Sequence, residues 1–437
     1  MSLKDKASLI FKPSRYKSGK VYSYRGEDFT FTRSSVATRI NSEGNLEEVA
    51  SGVPRLNYDG TDLTKCPNLL LEPSRANLAL DSNDFGSSFW LNVNSSIVSN
   101  SAISPEGVLN ADKLVEDSSD GTHYVRTGFM TTTDGSTLTT SLFVKAAERT
   151  QIRLQENAYN AHIVKADLIT QSVTTTGIDA GIEPLKNGWF RIYIIDDARP
   201  STRWQIRLVK DDNTSYQGDG TSGIYIYGFQ TENQSSYPTS LIKTNGSSAT
   251  RNADKVDGQV NASSYNDDEG VLYVDFSALS ATRDNEFRFL ISDGTNNERI
   301  QIGLQTSGNL YASVITGNSS TASFNYTLPN PTQNHKIALK YKANDCALWV
   351  DGVKRGTDTS AAMPSGLDEF DFYRTPNNNN YVEANVKEVL YFKQALSDSQ
   401  LLSLTSYDDY QELVDRNDLT WESPTITNNR LTALKEL

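Results

Sequence analysis

The chain has 437 residues and a formal net charge of -13 at pH 7. That length exceeds one ordinary core and predicts two or three domains, and the acidic balance excludes a nucleic-acid binder, which needs clustered Lys and Arg against phosphate. Ser, Thr and Asn dominate the polar positions beside 21 Tyr and only 3 Met, a composition of short strands and polar turns, hence an all-β protein of antiparallel β-sandwiches.

No apolar run approaches the roughly 18 residues of a membrane helix, so no membrane partner is expected. The start, Met1-Ser2-Leu3-Lys4-Asp5-Lys6, has no apolar h-region, and no signal peptide is expected. Cys66 and Cys346 lie far apart and read as free thiols. His123, His162 and His335 with these cysteines have no zinc-ligand spacing.

Residues 1–80 form a leader of short apolar pieces punctuated by Pro54, Pro67 and Pro73. Leu9-Ile10-Phe11 and Phe29-Thr30-Phe31-Thr32 read as strands, but the leader is too poor in apolar residues for a core of its own. It reads as an extended arm that lies against other chains, with a leader folded onto its own next domain as the alternative. Residues 81–255 read as one jelly-roll sandwich with strands at 124–129, 138–146, 151–155, 161–169, 189–195, 204–209 and 223–230. Turn signals such as Thr133-Asp134-Gly135, Lys186-Asn187-Gly188 and Asp211-Asp212-Asn213 separate them. Residues 256–264 read as a linker.

Residues 265–405 read as a second sandwich, with strands at 270–276, 287–292, 299–306, 310–315, 335–342, 346–350 and 386–392. Asp351-Gly352 predicts a tight hairpin turn with positive φ. Ser397, with Gln400 three residues on, predicts a capping box opening a short helix. Residues 406–437 read as a tail with helical stretches at 407–416 and 430–437 around Pro424.

No Gly-x-Ser-x-Gly elbow, His-Glu-x-x-His, P-loop or dinucleotide fingerprint occurs, and no catalytic residue is assigned. The chemistry that stands out is recognition. In the first sandwich the strand period places Ile152 and Leu154, Phe190, Ile192 and Ile194, and Trp204, Ile206 and Leu208 on core faces. The opposite faces carry Arg153, Gln155, Trp189, Arg191, Tyr193, Gln205 and Arg207. In the glycine-led strand from Gly223, the period puts Tyr225, Tyr227 and Phe229 opposite Ile224 and Ile226. Guanidinium and amide groups pair with sugar hydroxyls and aromatic rings stack on sugar C–H faces. Arg153, Gln155, Trp189, Arg191, Tyr193, Gln205, Arg207, Tyr225 and Tyr227 are therefore the candidate glycan-binding residues. The bland alternative is a packing face, since Tyr, Trp and Arg are also enriched at interfaces. Asp211, Asp212, Asn213, Asp219 and Glu116-Asp117-Ser118-Ser119-Asp120 offer oxygen ligands of the kind Ca2+ takes, against the simpler reading that these residues favour turns.

An ordered series of segments carries a resemblance. Arg33-Ser34-Ser35-Val36-Ala37-Thr38-Arg39, Val53-Pro54-Arg55-Leu56-Asn57-Tyr58, Pro67-Asn68-Leu69-Leu70-Leu71-Glu72-Pro73-Ser74-Arg75-Ala76-Asn77-Leu78, Gly220 through Glu232, and Tyr237-Pro238-Thr239-Ser240-Leu241-Ile242 resemble a module of tailed-bacteriophage virion proteins. It occurs in tail-fibre, head-fibre and decoration proteins, including those of crAss-like phages, and its sandwich resembles a jelly-roll carbohydrate-binding module. Residues 265–405, ending in Val386-Lys387-Glu388-Val389-Leu390-Tyr391-Phe392, are similar to concanavalin A-like (laminin-G-like) domains. The resemblance implies a non-catalytic virion protein made in the host cytoplasm, anchored by its leader to capsid or tail proteins; the alternatives are a polysaccharide-active enzyme with accessory binding modules and a purely structural capsid brace. It also implies a homo-oligomer, a trimer by fibre analogy, that meets host cell-surface or mucosal glycans. The echo Ser34-Ser35-Val36-Ala37-Thr38-Arg39 and Ser247-Ser248-Ala249-Thr250-Arg251 suggests two neighbouring edge strands.

Overall fold

The computed structural model describes residues 3, 6–17, 20–26, 28–156, 162–176, 178–258, 261–282, 285–373 and 381–406. The helical stretches expected in the tail lie outside the described residues. The architecture is antiparallel β-sheet, with one α-helix, Asp398–Thr405, among the described residues. Ser397 caps that helix through the expected capping box with Gln400.

The first sandwich consists of two six-stranded sheets. One runs Ser95–Ile103, Leu109–Glu116, Gly223–Asn233, Thr137–Ala146, Trp189–Asp197, Asp179–Pro184. The other runs Ser172–Thr175, Ile163–Asp167, Gln151–Glu156, Trp204–Val209, Tyr124–Thr127, Trp90–Val93. Alternation makes each strand two-faced. Leu142, Val144, Ile192, Ile194, Ile224 and Ile226 from the first sheet meet Val125, Ile152, Leu154, Trp204, Ile206 and Leu208 from the second in one core. Each such side chain, fully withdrawn from water, contributes roughly 1.5–3 kcal/mol.

The period breaks once in the glycine-led strand. Ser141 pairs with Gln230 but Phe143 with Tyr227, so an extra residue bulges out between them. Gly228 supplies the required backbone, with φ +60°. The bulge turns Phe229 into the core against Trp90, their ring centroids 5.2 Å apart. Phe229 therefore leaves the face of Tyr225 and Tyr227 on which the uninterrupted period places it.

The second sandwich is built from a single long hydrogen-bonded path. It runs Ser319–Tyr326, Leu310–Thr316, Arg299–Leu304, Phe287–Ser292, Glu369–Asp371, Lys255–Asp257, Phe29–Thr32, Lys20–Arg25, Leu9–Lys17, Ala384–Phe392, Glu269–Ala278, His335–Lys342, Cys346–Val350, Val353–Asp358. Its two ends fold over a shared core that joins Phe289, Ile300, Ile302 and Val314 to Leu272, Val274, Ile337 and Leu339. Val271, Tyr273, Ala338 and Trp349 face the other way, against Leu401 and Leu404 of the helix. The hairpin at Asp351-Gly352 has the expected positive φ at both residues, 51° and 74°.

The leader is woven into this body rather than extended away from it. Leu9–Lys17 pairs with Ala384–Phe392, and Asn68–Leu71 pairs with the start of that same strand. Phe11, Phe29 and Phe31 are buried in the second core. Chain segments too apolar-poor to fold alone thus borrow a core that comes more than three hundred residues later. Within the stretch read as a linker, Val256 and Asp257 belong to a strand paired with Phe29–Thr32. The two echoing segments do not pair with each other: Ala249–Arg251 pairs with Arg75–Asn77, and Ala37–Ile40 with Leu46–Val49.

Where leader and sandwiches meet, charge is buried. Arg33 pairs with Asp254 at 2.9 Å, Arg55 with Glu72 at 2.6 Å and also with Asp254, and Arg251 with Glu72 at 2.6 Å. Burial alone opposes ionisation of Glu72, but Arg251, Arg55 and the Ser240 donors outweigh it and bring the carboxyl down to about 2. Two further donors of the cluster reach carbonyls: Arg33 Nη2 donates to Ala50 at 2.8 Å, and Arg251 Nη2 to Pro73 at 2.5 Å.

Candidate functional site

The structure divides the sequence-derived glycan candidates between the two outer faces of the first sandwich. Trp189, Arg191, Tyr193, Tyr225 and Tyr227 lie on one sheet, and Arg153, Gln155, Gln205 and Arg207 on the other. The core separates the two sets, so they do not form one site.

The first set is largely covered by the chain itself. Trp189 and Tyr227 pack with Leu46, Phe143 and Leu241 beneath the leader hairpin, leaving 1% and 0% of their surfaces exposed. Trp189 Nε1 donates to the Ile103 carbonyl at 3.0 Å. Arg191 is buried, lies 5.1 Å over the Phe143 ring, and donates to Ser141 Oγ at 2.9 Å. Burial lowers the Arg191 guanidinium from its ordinary value despite Glu183 opposite it. Tyr193 spans Gly181 on the neighbouring strand, and Tyr225 packs at the margin of this cluster. Trp189, Arg191 and Tyr227 serve packing here: an amphipathic face without a cover would strand apolar area in water, and the leader covers it. Beside Arg191 a cleft of about 420 Å³ opens between leader and sandwiches, with Arg39, Tyr58, Glu183, Tyr237 and Asn385 in its walls.

The second set forms an ordered ladder. Tyr124 stands opposite Arg207, Arg207 opposite Arg153, and Arg153 opposite Lys165, one row across four strands. In the next row Arg126 stands opposite Gln205, and Gln205 opposite Gln155. Because Val125, Ile152, Leu154, Ile206 and Leu208 point into the core, these side chains must point outward. Arg207 Nε donates to Gln205 Oε1 at 2.6 Å, and its guanidinium stacks 5.2 Å from the Tyr124 ring centroid. Gln155 and Gln205 are buried between their neighbours, while Tyr124, Arg126, Arg153 and Arg207 are half-buried. Burial lowers the Arg153 guanidinium and the facing Arg207 adds to it, and burial likewise lowers Arg207. Lys165, at the row's end, is paired with Asp212 at 2.7 Å.

Tyr124 and Arg126 were not among the sequence-derived candidates. The signal was present: with Val125 inward, alternation places both outward beside Gln205 and Arg207. What the sequence does not contain is that strand 124–127 neighbours strand 204–209.

Of the carboxylates considered for Ca2+, Glu116, Asp117, Asp212 and Asp219 are engaged by their own chain. Asp219 accepts from Thr221 N at 2.8 Å and Ser222 N at 2.7 Å, and Asp117 from Ser119 N at 2.9 Å, as turn residues do. Glu116 takes Arg149 through two bonds, of 2.8 and 2.5 Å. Among the described residues no group of three or more His, Cys, Asp or Glu is placed to hold a metal ion. Cys66 is exposed and Cys346 buried, and both are free.

Residues 276–402 match the family model of the concanavalin A-like lectin/glucanases superfamily, laminin-G type. No curated protein matches the chain. Solved structures similar to it include the CBM40 of a Ruminococcus gnavus IT-sialidase, at 13% identity over 34% of this chain and 92% of that one, TM-score 0.29. Domains LG4-5 of the mouse laminin alpha1 chain are 13% identical over 68% of this chain and 90% of theirs, TM-score 0.21. A Trypanosoma rangeli sialidase is 9% identical over 86% of this chain and 77% of its own, TM-score 0.28. At these scores the structural likenesses say nothing of what the chain binds. The family match and the observed strand path together make the second sandwich a concanavalin A-like, laminin-G-like domain.

Proposed function

We propose that this chain is a non-catalytic glycan-recognition protein of a bacteriophage virion, a head-fibre, tail-fibre or decoration subunit that presents two lectin-like sandwiches to host-surface or mucosal glycans. The observation that carries the glycan reading is the ladder Tyr124–Arg207–Arg153 beside Arg126–Gln205–Gln155. It joins planar hydrogen-bonding groups and an aromatic ring on one pleated surface, the groups that pair with hydroxyls and pack on sugar rings. The concanavalin A-like match over 276–402 supports a second lectin-type surface. The virion reading rests on the ordered motif series in residues 33–242. Many copies of a homo-oligomer, a trimer by fibre analogy, would multiply weak single-site binding into avidity.

Gold-labelled antibody against the chain, imaged on intact phage particles from the same source, tests the virion reading. Label at capsid vertices or along appendages is expected; unlabelled particles with antigen only in the lysate overturn it. A glycan-array screen of the whole chain tests recognition, and release of new reducing ends from any polysaccharide it binds would overturn the non-catalytic assignment.

A further inference from the structure

We infer that the row Tyr124–Arg207–Arg153 is a subsite for an oxyanion carried by the saccharide, a uronic-acid-type carboxylate or a sulfate ester; this rests on the glycan reading above. The argument is one of uncompensated charge. The chain carries 54 Asp and Glu against 41 Lys and Arg, so acidic partners are abundant. Arg33, Arg55 and Arg251, buried at the leader junction, and the half-buried Arg149 on Glu116 find them, and the buried Arg191 has Glu183 opposite it. Arg153 and Arg207 instead face each other directly across an antiparallel pair. Like charges opposed in this way destabilise a sheet.

No carboxylate among the described residues pairs with either guanidinium, nor with Arg126 one row away. Lys165, the other cation of the row, is already neutralised by Asp212, so the surplus sits mid-row. The bond from Arg207 Nε to Gln205 Oε1 holds that fork by its inner nitrogen, which leaves the terminal nitrogens for a ligand. Guanidinium forks present paired N–H groups that match carboxylate and sulfate oxygens, and such charge-assisted bonds are about twice as strong as neutral ones. An incoming oxyanion would relieve the repulsion between Arg153 and Arg207, with the Tyr124 ring beside Arg207 to pack on the sugar.

The test uses the full-length protein as wild type, Arg153→Gln, Arg207→Gln and the double variant. Binding to polygalacturonate, dextran sulfate and uncharged dextran is measured by interferometry at low and high salt, with thermal melting as the folding control. Wild type is expected to prefer an anionic polymer over dextran and to weaken with salt. The double variant should lose about tenfold or more of that affinity, with melting unchanged or raised because the repulsion is gone. Arg153→Lys, which keeps charge but not the fork, should fall between. Preference for polygalacturonate identifies a carboxylate, and preference for dextran sulfate a sulfate; either supports the subsite. Undiminished anionic binding in the double variant, or in Arg153→Lys and Arg207→Gln if the double variant fails to fold, overturns it. Binding of uncharged dextran alone overturns the subsite and leaves the glycan reading standing. Binding of no polysaccharide removes both.

Discussion

The two outer faces of the first sandwich carry nearly the same residue types and meet opposite fates. On one, Trp189, Arg191 and Tyr227 lie under the leader, with Trp189 and Arg191 bonded to acceptors of the same chain. On the other, Tyr124, Arg153 and Arg207 stand half-buried, and the guanidiniums repel one another. Residue type therefore does not separate a binding face from a packing face, because aromatic rings and guanidiniums suit both. Two observations do separate them: whether a chain segment lies across the face, and whether a guanidinium there stands opposite a carboxylate, as Arg191 does Glu183, or opposite another guanidinium, as Arg153 does Arg207.

The largest effect should come from unlocking the segment that covers the first face. Arg55→Met leaves Glu72 and Asp254 short of a buried partner and should cost about 3–5 kcal/mol of stability by urea unfolding. The pH dependence has a definite sign. Glu72 is depressed in the folded state, to about 2, so its contribution is complete above the ordinary glutamate range and is lost as pH falls toward that value. A leader that detaches already near pH 5 would contradict this account.

Trp189→Ala should come next, removing a buried ring and its hydrogen bond at about 3–5 kcal/mol. Tyr124→Ala on the opposite face should cost no more than about 1 kcal/mol while weakening glycan binding. Equal stability losses from the two changes would erase the distinction between the faces.

Gly228→Ala should cost more than about 1 kcal/mol. The backbone there has φ +60°, and an added Cβ would sit 2.8 Å from Phe143. Retained melting temperature in this variant would show that the bulge is not required.

The smallest effect tests the acidic counterpart of the arginine row. Asp371 lies opposite Asp257 with Glu369 on its own strand. Burial, with Glu369 adding, pushes its carboxyl up to about 7. A raised carboxyl favours the fold below the ordinary aspartate range and loses that advantage as pH rises through about 7. Asp371→Asn should flatten the fall in melting temperature between pH 5 and pH 8. An unchanged slope would show that another group sets it.

Much of the core was legible because alternation is local. Ile152 and Leu154, and Trp204, Ile206 and Leu208, sit inward where a period of two puts them. The capping box at Ser397 and the Asp351-Gly352 turn were legible for the same reason, since each closes within a few residues. Strands at Ser95–Ile103 and Asp179–Pro184 were not, because their polar, half-exposed residues have no two-sided pattern. Phe229 was misplaced because one glycine shifts the register by a residue and flips every side chain after it.

By itself, then, the sequence determined the all-β class, the inward set of each regular strand, and the presence of Arg, Gln and Tyr on outward positions. Only the tertiary structure decided which outward set remains open. That choice depends on the leader finding Ala384–Phe392 and on its hairpin landing over Trp189 and Tyr227. Strand pairing is made through backbone groups common to every residue, so no local pattern names the partner. The partner is chosen by whichever pairing buries the most apolar surface at once, and that sum exists only in the folded chain.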